Sequence, residues 1–321
     1  MSDPSPRLRN DVTPPWLSRF TKFVAASTLF LIFAGAMVTS TGSGLAVPDW
    51  PLSYGMLMPP MVGGIFYEHG HRTIATAVGL LAIVQAIWLQ RREPKRFVRR
   101  LGWALLAAVS VQGLLGGLTV IFLLPKAISI GHAAVAEICL LLSVAIAFFT
   151  SRFYKELQAL ERGDAPTSMT SGLLVLVYAQ VVAGAVMRHF GAGLAIPDFP
   201  MSFGRVIPEF TSLAVAVNYT HRVGAVLVAV AIVAVFVRLR HYDSSHPLRG
   251  LANLLLAVIP AQILLGGYTV WSGRQPHITS LHVMTGAVTL ALALLLALTA
   301  RTCAWRRVKD ESPAHLVGAA A

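Results

Sequence analysis

The chain is predicted to be an all-α integral membrane protein. Eight transmembrane helices are expected, arranged as two tandem four-helix bundles related by a pseudo-two-fold axis along the membrane normal. Three observations predict this. Of 321 residues 55% are hydrophobic and only 12% charged, with a mean hydropathy of +0.67, whereas a soluble domain carries about 25% charged residues. Eight stretches are long and apolar enough to cross a bilayer, which takes about 20 such residues. The sequence also repeats itself across its midpoint.

The spans are placed near 20–40, 68–90, 101–122, 129–150, 169–188, 218–238, 250–271 and 279–300. Span one ends in Gly35-Ala36 and leads into Gly42-Ser43-Gly44-Leu45-Ala46-Val47-Pro48-Asp49-Trp50-Pro51. Span five ends in Gly184-Ala185 and leads into Gly191-Ala192-Gly193-Leu194-Ala195-Ile196-Pro197-Asp198-Phe199-Pro200. The offset is 149 here and 150 at His71 and His221, so the second loop region holds one inserted residue. Span three carries Gln112-Gly113-Leu114-Leu115-Gly116-Gly117, which returns in span seven as Gln262-Ile263-Leu264-Leu265-Gly266-Gly267. Gly131-His132 opens span four and Leu281-His282 opens span eight. Loops, helices and histidines recur in register, which is a tandem duplication. Four spans is an even number, so both halves enter the membrane in one orientation, as in parallel-repeat proteins, and four antiparallel helices pack as a bundle.

The formal charge of +12 reflects topology. Twenty of the 26 Lys and Arg fall in or beside the N-terminal tail, the loops 91–100, 151–168 and 238–249, or the segment after 300. Positive charge on alternate loops places both termini in the cytoplasm and excludes a nucleic-acid partner. The expected divisions are an N-terminal tail 1–19, a bundle 20–150, a cytoplasmic linker 151–168, a second bundle 169–300 and a tail 301–321. The N-terminus shows no cleavable signal pattern, and a bacterial inner membrane is the expected location. Cys139 and Cys303 fall at different depths and are read as buried, unpaired residues.

Chemistry is expected where ionisable groups meet the spans, since such groups are costly in a bilayer and mark function. In Tyr67-Glu68-His69-Gly70-His71-Arg72, Glu68 and His71 are three apart and share a helix face. With the N-terminus inside, His71, His132, His221 and His282 all lie at similar depth near the outer ends of their helices, beneath the Pro/Gly-rich loops 41–67 and 189–217. Two histidines from different helices of one bundle suit the two axial positions of a haem; another metal or a proton relay are the alternatives. A zinc site wants three or four ligands, and each half repeats only two. His189, His241, His246, His277 and His315 read as solvated. The glycine pairs 116–117 and 266–267 admit either a flat macrocycle or a neighbouring helix. Arg72 and Arg222 could hold propionates, snorkel or, for Arg72, pair with Glu68. Asp49 and Asp198 read as turn residues. Glu68 becomes Asn218 in the second half, so one site alone keeps a carboxyl able to exchange a proton. That asymmetry suggests one resident cofactor and one reacting group.

Taken together, the paired Gly-x-Gly-Leu-Ala-x-Pro-Asp-x-Pro loops, Glu68-x-x-His71-Arg72, Gly131-His132, His221-Arg222 and Leu281-His282 resemble the haem A synthase family over nearly all of 20–300. The resemblance implies an oxidoreductase that converts the C8 methyl of haem O to the formyl of haem A by successive hydroxylations, for terminal oxidase cofactor biosynthesis. It implies a haem b on His221 and His282, and the substrate haem near His71, His132 and Glu68. Expected partners are haem O, membrane lipid, an electron-transfer partner, and haem O synthase and oxidase assembly factors; a homo-oligomer is compatible with it. Many family members carry a cysteine pair in the first outer loop, and residues 41–67 have none. The rival readings are a dihaem electron-transfer cytochrome, which leaves Glu68 without a reason, and a parallel-repeat transporter, whose polar residues belong nearer the midplane.

Overall fold

The computed structural model describes residues 13–158 and 165–309, with side chains through Cys303. The tail 1–12, linker residues 159–164 and the segment 310–321, including His315, lie outside the described residues. The described residues form helices and no strand: α1 (Pro15–Ser40), α2 (Gly64–Arg92), α3 (Arg96–Ile121), α4 (Lys126–Phe149), α5 (Arg152–Leu157), α6 (Thr167–His189), α7 (Leu213–Leu239), α8 (Pro247–Trp271) and α9 (Pro276–Lys309). A single 3₁₀ turn, Ala192–Leu194, lies between α6 and α7. Eight helices, all but α5, are long and apolar enough to cross a membrane.

The helices begin a few residues before the apolar runs do. Proline at the first helical position starts α1 and α8, where its missing N–H is no loss, and Ser212 caps α7 through the Val215 amide. The start of the linker forms the short helix α5, Arg152–Leu157. Ser151 accepts from Tyr154 N at 3.0 Å and caps α5, which turns Tyr154 and Leu157 onto Phe148 and Cys303 in one cluster.

Helix α1 packs on α2 and α4, and α3 packs on α2 and α4, closing a ring; α6, α7, α8 and α9 repeat the pattern. The rings meet through α1 on α9, α4 on α6 and α4 on α9. Exchanging each helix for its repeat equivalent maps α1–α9 onto α6–α4 and leaves α4–α9 unchanged, as a two-fold relation requires. Lipid is as apolar as leucine, so small residues and interhelical hydrogen bonds, averaging about 0.6 kcal/mol each, decide such packing. Gly102 lies against Leu89 closely enough that a Cβ there would come within 2.8 Å of its Cδ1. Thr21 and Thr150 share a buried bond of 2.8 Å between α1 and the end of α4. Between the halves, Arg188 donates to Ala36 O at 2.7 Å and Ser40 Oγ at 2.6 Å, and Ser40 bonds Ser280 at 3.0 Å. Cys139 and Cys303 are both buried and unpaired.

Candidate functional site: two histidine pairs under clipped loops

The four histidines stand near the starts of α2, α4, α7 and α9, all at the end of the molecule that carries the two long loops. Each imidazole lies on a glycine of an adjacent helix in the same half. A Cβ at Gly35 would sit 3.0 Å from His71 Cε1, at Gly116 3.2 Å from His132, at Gly184 3.0 Å from His221 and at Gly266 3.1 Å from His282. The first glycine of each pair therefore accommodates a histidine ring rather than a neighbouring helix backbone. The second accommodates a loop aromatic: a Cβ at Gly117 would meet Trp50 at 2.8 Å and at Gly267 Phe199 at 2.9 Å. His71 lies close to His132, and His221 to His282.

The loops are clipped down in the same way in both halves. Asp49 accepts from Tyr54 N at 2.6 Å and Gly55 N at 2.8 Å; Asp198 accepts from Phe203 N at 2.7 Å and Gly204 N at 2.8 Å. Gly55 and Gly204 each take φ +70°, a left-handed turn that glycine adopts without penalty. Arg72 then gathers the loop by donating to Asp49 O at 2.7 Å, Leu52 O at 3.0 Å and Val47 O at 3.2 Å. Arg222 does the same with Asp198 O, Met201 O and Ile196 O, at 2.8, 2.8 and 3.0 Å. The turn reading of the aspartates matches this geometry. The arginines are occupied by loop carbonyls, a role that the spacing did not disclose because it depends on the loop's path.

Glu68 is 4% exposed. Its Oε1 accepts from Arg72 at 2.6 Å and its Oε2 accepts from Val47 N at 2.8 Å. Asn218 fills the equivalent place with an amide: it donates to Ala192 O at 2.8 Å and accepts from Arg222 Nε at 2.9 Å. Both residues tie loop to helix, and only the first brings a carboxylate. His69 turns away from His71 and meets Ser53 Oγ at 2.8 Å through Nδ1.

Four placements escaped the sequence reading. His189 sits in the last turn of α6, half-buried and near enough to interact with His132, so it is not a solvated residue; His246 likewise accepts from Leu248 N at the start of α8. Glu137, on α4, is 4% exposed with Oε2 unpartnered; a carboxyl inside an apolar span was its visible signal. Gln180 bonds both His221 O, at 2.8 Å, and lies 3.1 Å from His221 Nδ1; the signal was a glutamine where the repeat has Leu31. No group of three or more His, Cys, Asp or Glu side chains converges among the described residues.

The loop clip should be insensitive to ordinary pH. Backbone N–H bonds, from Gly55 first and then Tyr54, hold the Asp49 carboxyl below its usual range, and Gly204 and Phe203 do so for Asp198. A depressed folded pKa means the contribution is complete above the unfolded value, about 3.9, and is lost as pH falls through the folded one. Hydrogen exchange of residues 49–56, corrected for intrinsic rates, is therefore expected to show constant protection from about pH 5 to pH 8. Asp49→Ala should lower that protection throughout. Protection that fades within that window would show that another group holds the loop.

A multi-pass membrane protein built by duplication, with two histidines resting on glycines at the clipped-loop end of each half, is the class these features define. Residues 18–294 match the COX15-CtaA family, described as a cytochrome oxidase assembly protein, and the chain belongs to that family. It is 30% identical over 249 residues to the heme A synthase of Symbiobacterium thermophilum, covering 75% of this chain and 81% of that protein. It is 27% identical to the heme A synthase of Alkalihalophilus pseudofirmus, covering 84% and 92%, and 26% identical to that of Geobacillus kaustophilus, covering 95% and 98%.

Proposed function

We propose that this protein is a haem A synthase that oxidises the C8 methyl of haem O to a formyl group. What carries the reading, beside family membership, is the asymmetry between two otherwise equivalent sites: Glu68 in the first half answers to Asn218 in the second. On this reading residues 20–150 and 169–300 form two tandem bundles about an axis along the membrane normal, supported by the matching helix contacts. The loops lie on the outer face of a bacterial inner membrane and the termini in the cytoplasm, supported by the Lys and Arg distribution and its known bias.

The second half fits a resident haem b. His282 Nδ1 lies 3.2 Å from the Gln262 carbonyl. A carbonyl only accepts, so this bond keeps the ring proton on Nδ1 and leaves the Nε2 lone pair for a metal. The Gln180 amide stands 3.1 Å from His221 Nδ1, so Nδ1 is engaged there and Nε2 is the ring nitrogen left to face a metal. A haem held by these two would supply one-electron redox chemistry. In the first half, His71 and His132 would receive the substrate haem. Their Nδ1 atoms are buried without a partner, so these rings are less firmly oriented, in keeping with a guest that must leave. Glu68 would accept a proton or stabilise positive charge developing at the substrate. Arg72 holds both the Glu68 carboxylate and the loop, which would shield a bound substrate from water. No thiol takes part, because both cysteines are buried and far along the chain from either loop.

The test is chemical identity. Protein purified from cells supplied with haem O should yield, on extraction, haem b together with haem A or a hydroxylated intermediate, identified by mass. Two unmodified haems and no formyl product would instead describe an electron-transfer cytochrome.

A further inference from the structure

The two histidines that open α2 and α7 occupy equivalent positions on equivalent helices and both rest on a glycine, yet their surroundings differ at two places. Where α6 has Gln180, α1 has Leu31; where α7 has Gly224, α2 has Ile74. The two differences belong together. Gln180 Oε1 lies 2.1 Å from where a Cβ on Gly224 would stand, so the glutamine reaches His221 only because residue 224 has no side chain. In the first half branched aliphatic residues fill both places, and His71 Nδ1 is left buried with no partner.

We infer that the Gln180–Gly224 pair is a built positioning device that makes His221 a permanent haem ligand, and that its replacement by Leu31 and Ile74 keeps His71 an exchangeable one. The inference rests on the proposed haem b site and adds the residue that distinguishes its ligand from that of the substrate site. As placed, the Gln180 amide donates through Nε2 to His221 O at 2.8 Å and faces Nδ1 at 3.1 Å. An imidazole whose Nε2 binds metal carries its proton on Nδ1, and the Gln180 amide meets that form by turning its oxygen to Nδ1–H and giving up the bond to His221 O. Partners of this kind fix ring orientation and raise ligand basicity, and losing one typically weakens metal binding about 10–100-fold. His132 and His282 differ in the same sense: His282 Nδ1 lies 3.2 Å from the Gln262 carbonyl, whereas His132 Nδ1 is buried without a partner. Gln180 is the one side chain in that difference between the halves, and so the part that a substitution can test.

The experiment measures haem b content and midpoint potential of full-length purified protein. Gln180→Leu should lose at least about tenfold in haem retention and show a raised potential, since a less basic imidazole favours the ferrous form; a tenfold change in relative affinity is about 59 mV. Gly224→Ala leaves the glutamine in the chain but displaces it, and should reproduce both effects. Gln180→Glu places an acceptor on Nδ1–H and should shift the potential the opposite way, a sign reversal that a packing defect does not produce. Should Gln180→Leu fail to accumulate, the other two variants decide. Unchanged potential and haem content in Gly224→Ala and Gln180→Glu, in a protein that His221→Ala strips of haem, would overturn the positioning role and leave the haem b site standing. Haem b retained in His221→Ala would instead overturn the site itself.

Discussion

Glu68→Gln is expected to slow haem A formation by about a hundredfold or more. A fixed charge facing charge that develops in a water-excluded transition state is worth about 2.7–4 kcal/mol, and each 1.36 kcal/mol is tenfold in rate. The structure adds a second consequence. Glu68 Oε2 accepts the Val47 amide, and a glutamine that keeps its oxygen toward Arg72 would present an N–H to that N–H. A buried donor left unmatched costs about 1–3 kcal/mol, so the lid loosens as well. Arg72→Gln separates the two effects, because it releases the loop carbonyls while leaving the carboxyl in place. Glu68→Gln should lose far more rate than Arg72→Gln, with haem O or a hydroxylated intermediate accumulating and haem b unaffected. Equal losses in the two variants would reduce Glu68 to a lid clamp.

His221→Ala and His282→Ala are expected to strip the resident haem almost completely, and the unaltered protein should show a low-spin, six-coordinate spectrum. On the proposed assignment each variant would delete a bond to the metal outright, and in each case the ring also fills the space over Gly184 or Gly266, so its removal leaves a cavity. Absorbance of the purified variants measures this, with circular dichroism confirming that the helices persist. A normal haem b band in both would show that the second half does not hold it through these side chains.

The features legible in the sequence were those set by local pattern. Eight apolar runs, the 149–150 offset and four histidines at equivalent positions are properties of the chain alone, and the eight long helices and the family match agree with them. Helix starts were less legible: α2 begins at Gly64 and α7 at Leu213, because their first turns lie ahead of the apolar run and are set by the loops feeding them. The glycine pairs show a different limit. Their spacing indicated close approach, but what approaches is a histidine and a loop aromatic from other elements, which lateral packing decides. For Arg72 and Arg222 the sequence leaves propionates, snorkelling and, for Arg72, a pair with Glu68 open; the Glu68 pair is present at 2.6 Å, while the loop carbonyls that both arginines bind come from 20–26 residues away and leave no local signal. Gln180 is one polar residue among several in its span, and what distinguishes it, the room that Gly224 makes on the next helix, belongs to the packing.

The division of labour between the halves is tested most directly by the combined variant His71→Ala, His132→Ala, purified from cells that make haem O, with its porphyrins extracted and weighed. The account predicts full haem b, held by His221 and His282, and no haem A or hydroxylated intermediate. Haem A formed at normal levels in that protein would place the oxidation outside the first half and contradict the account.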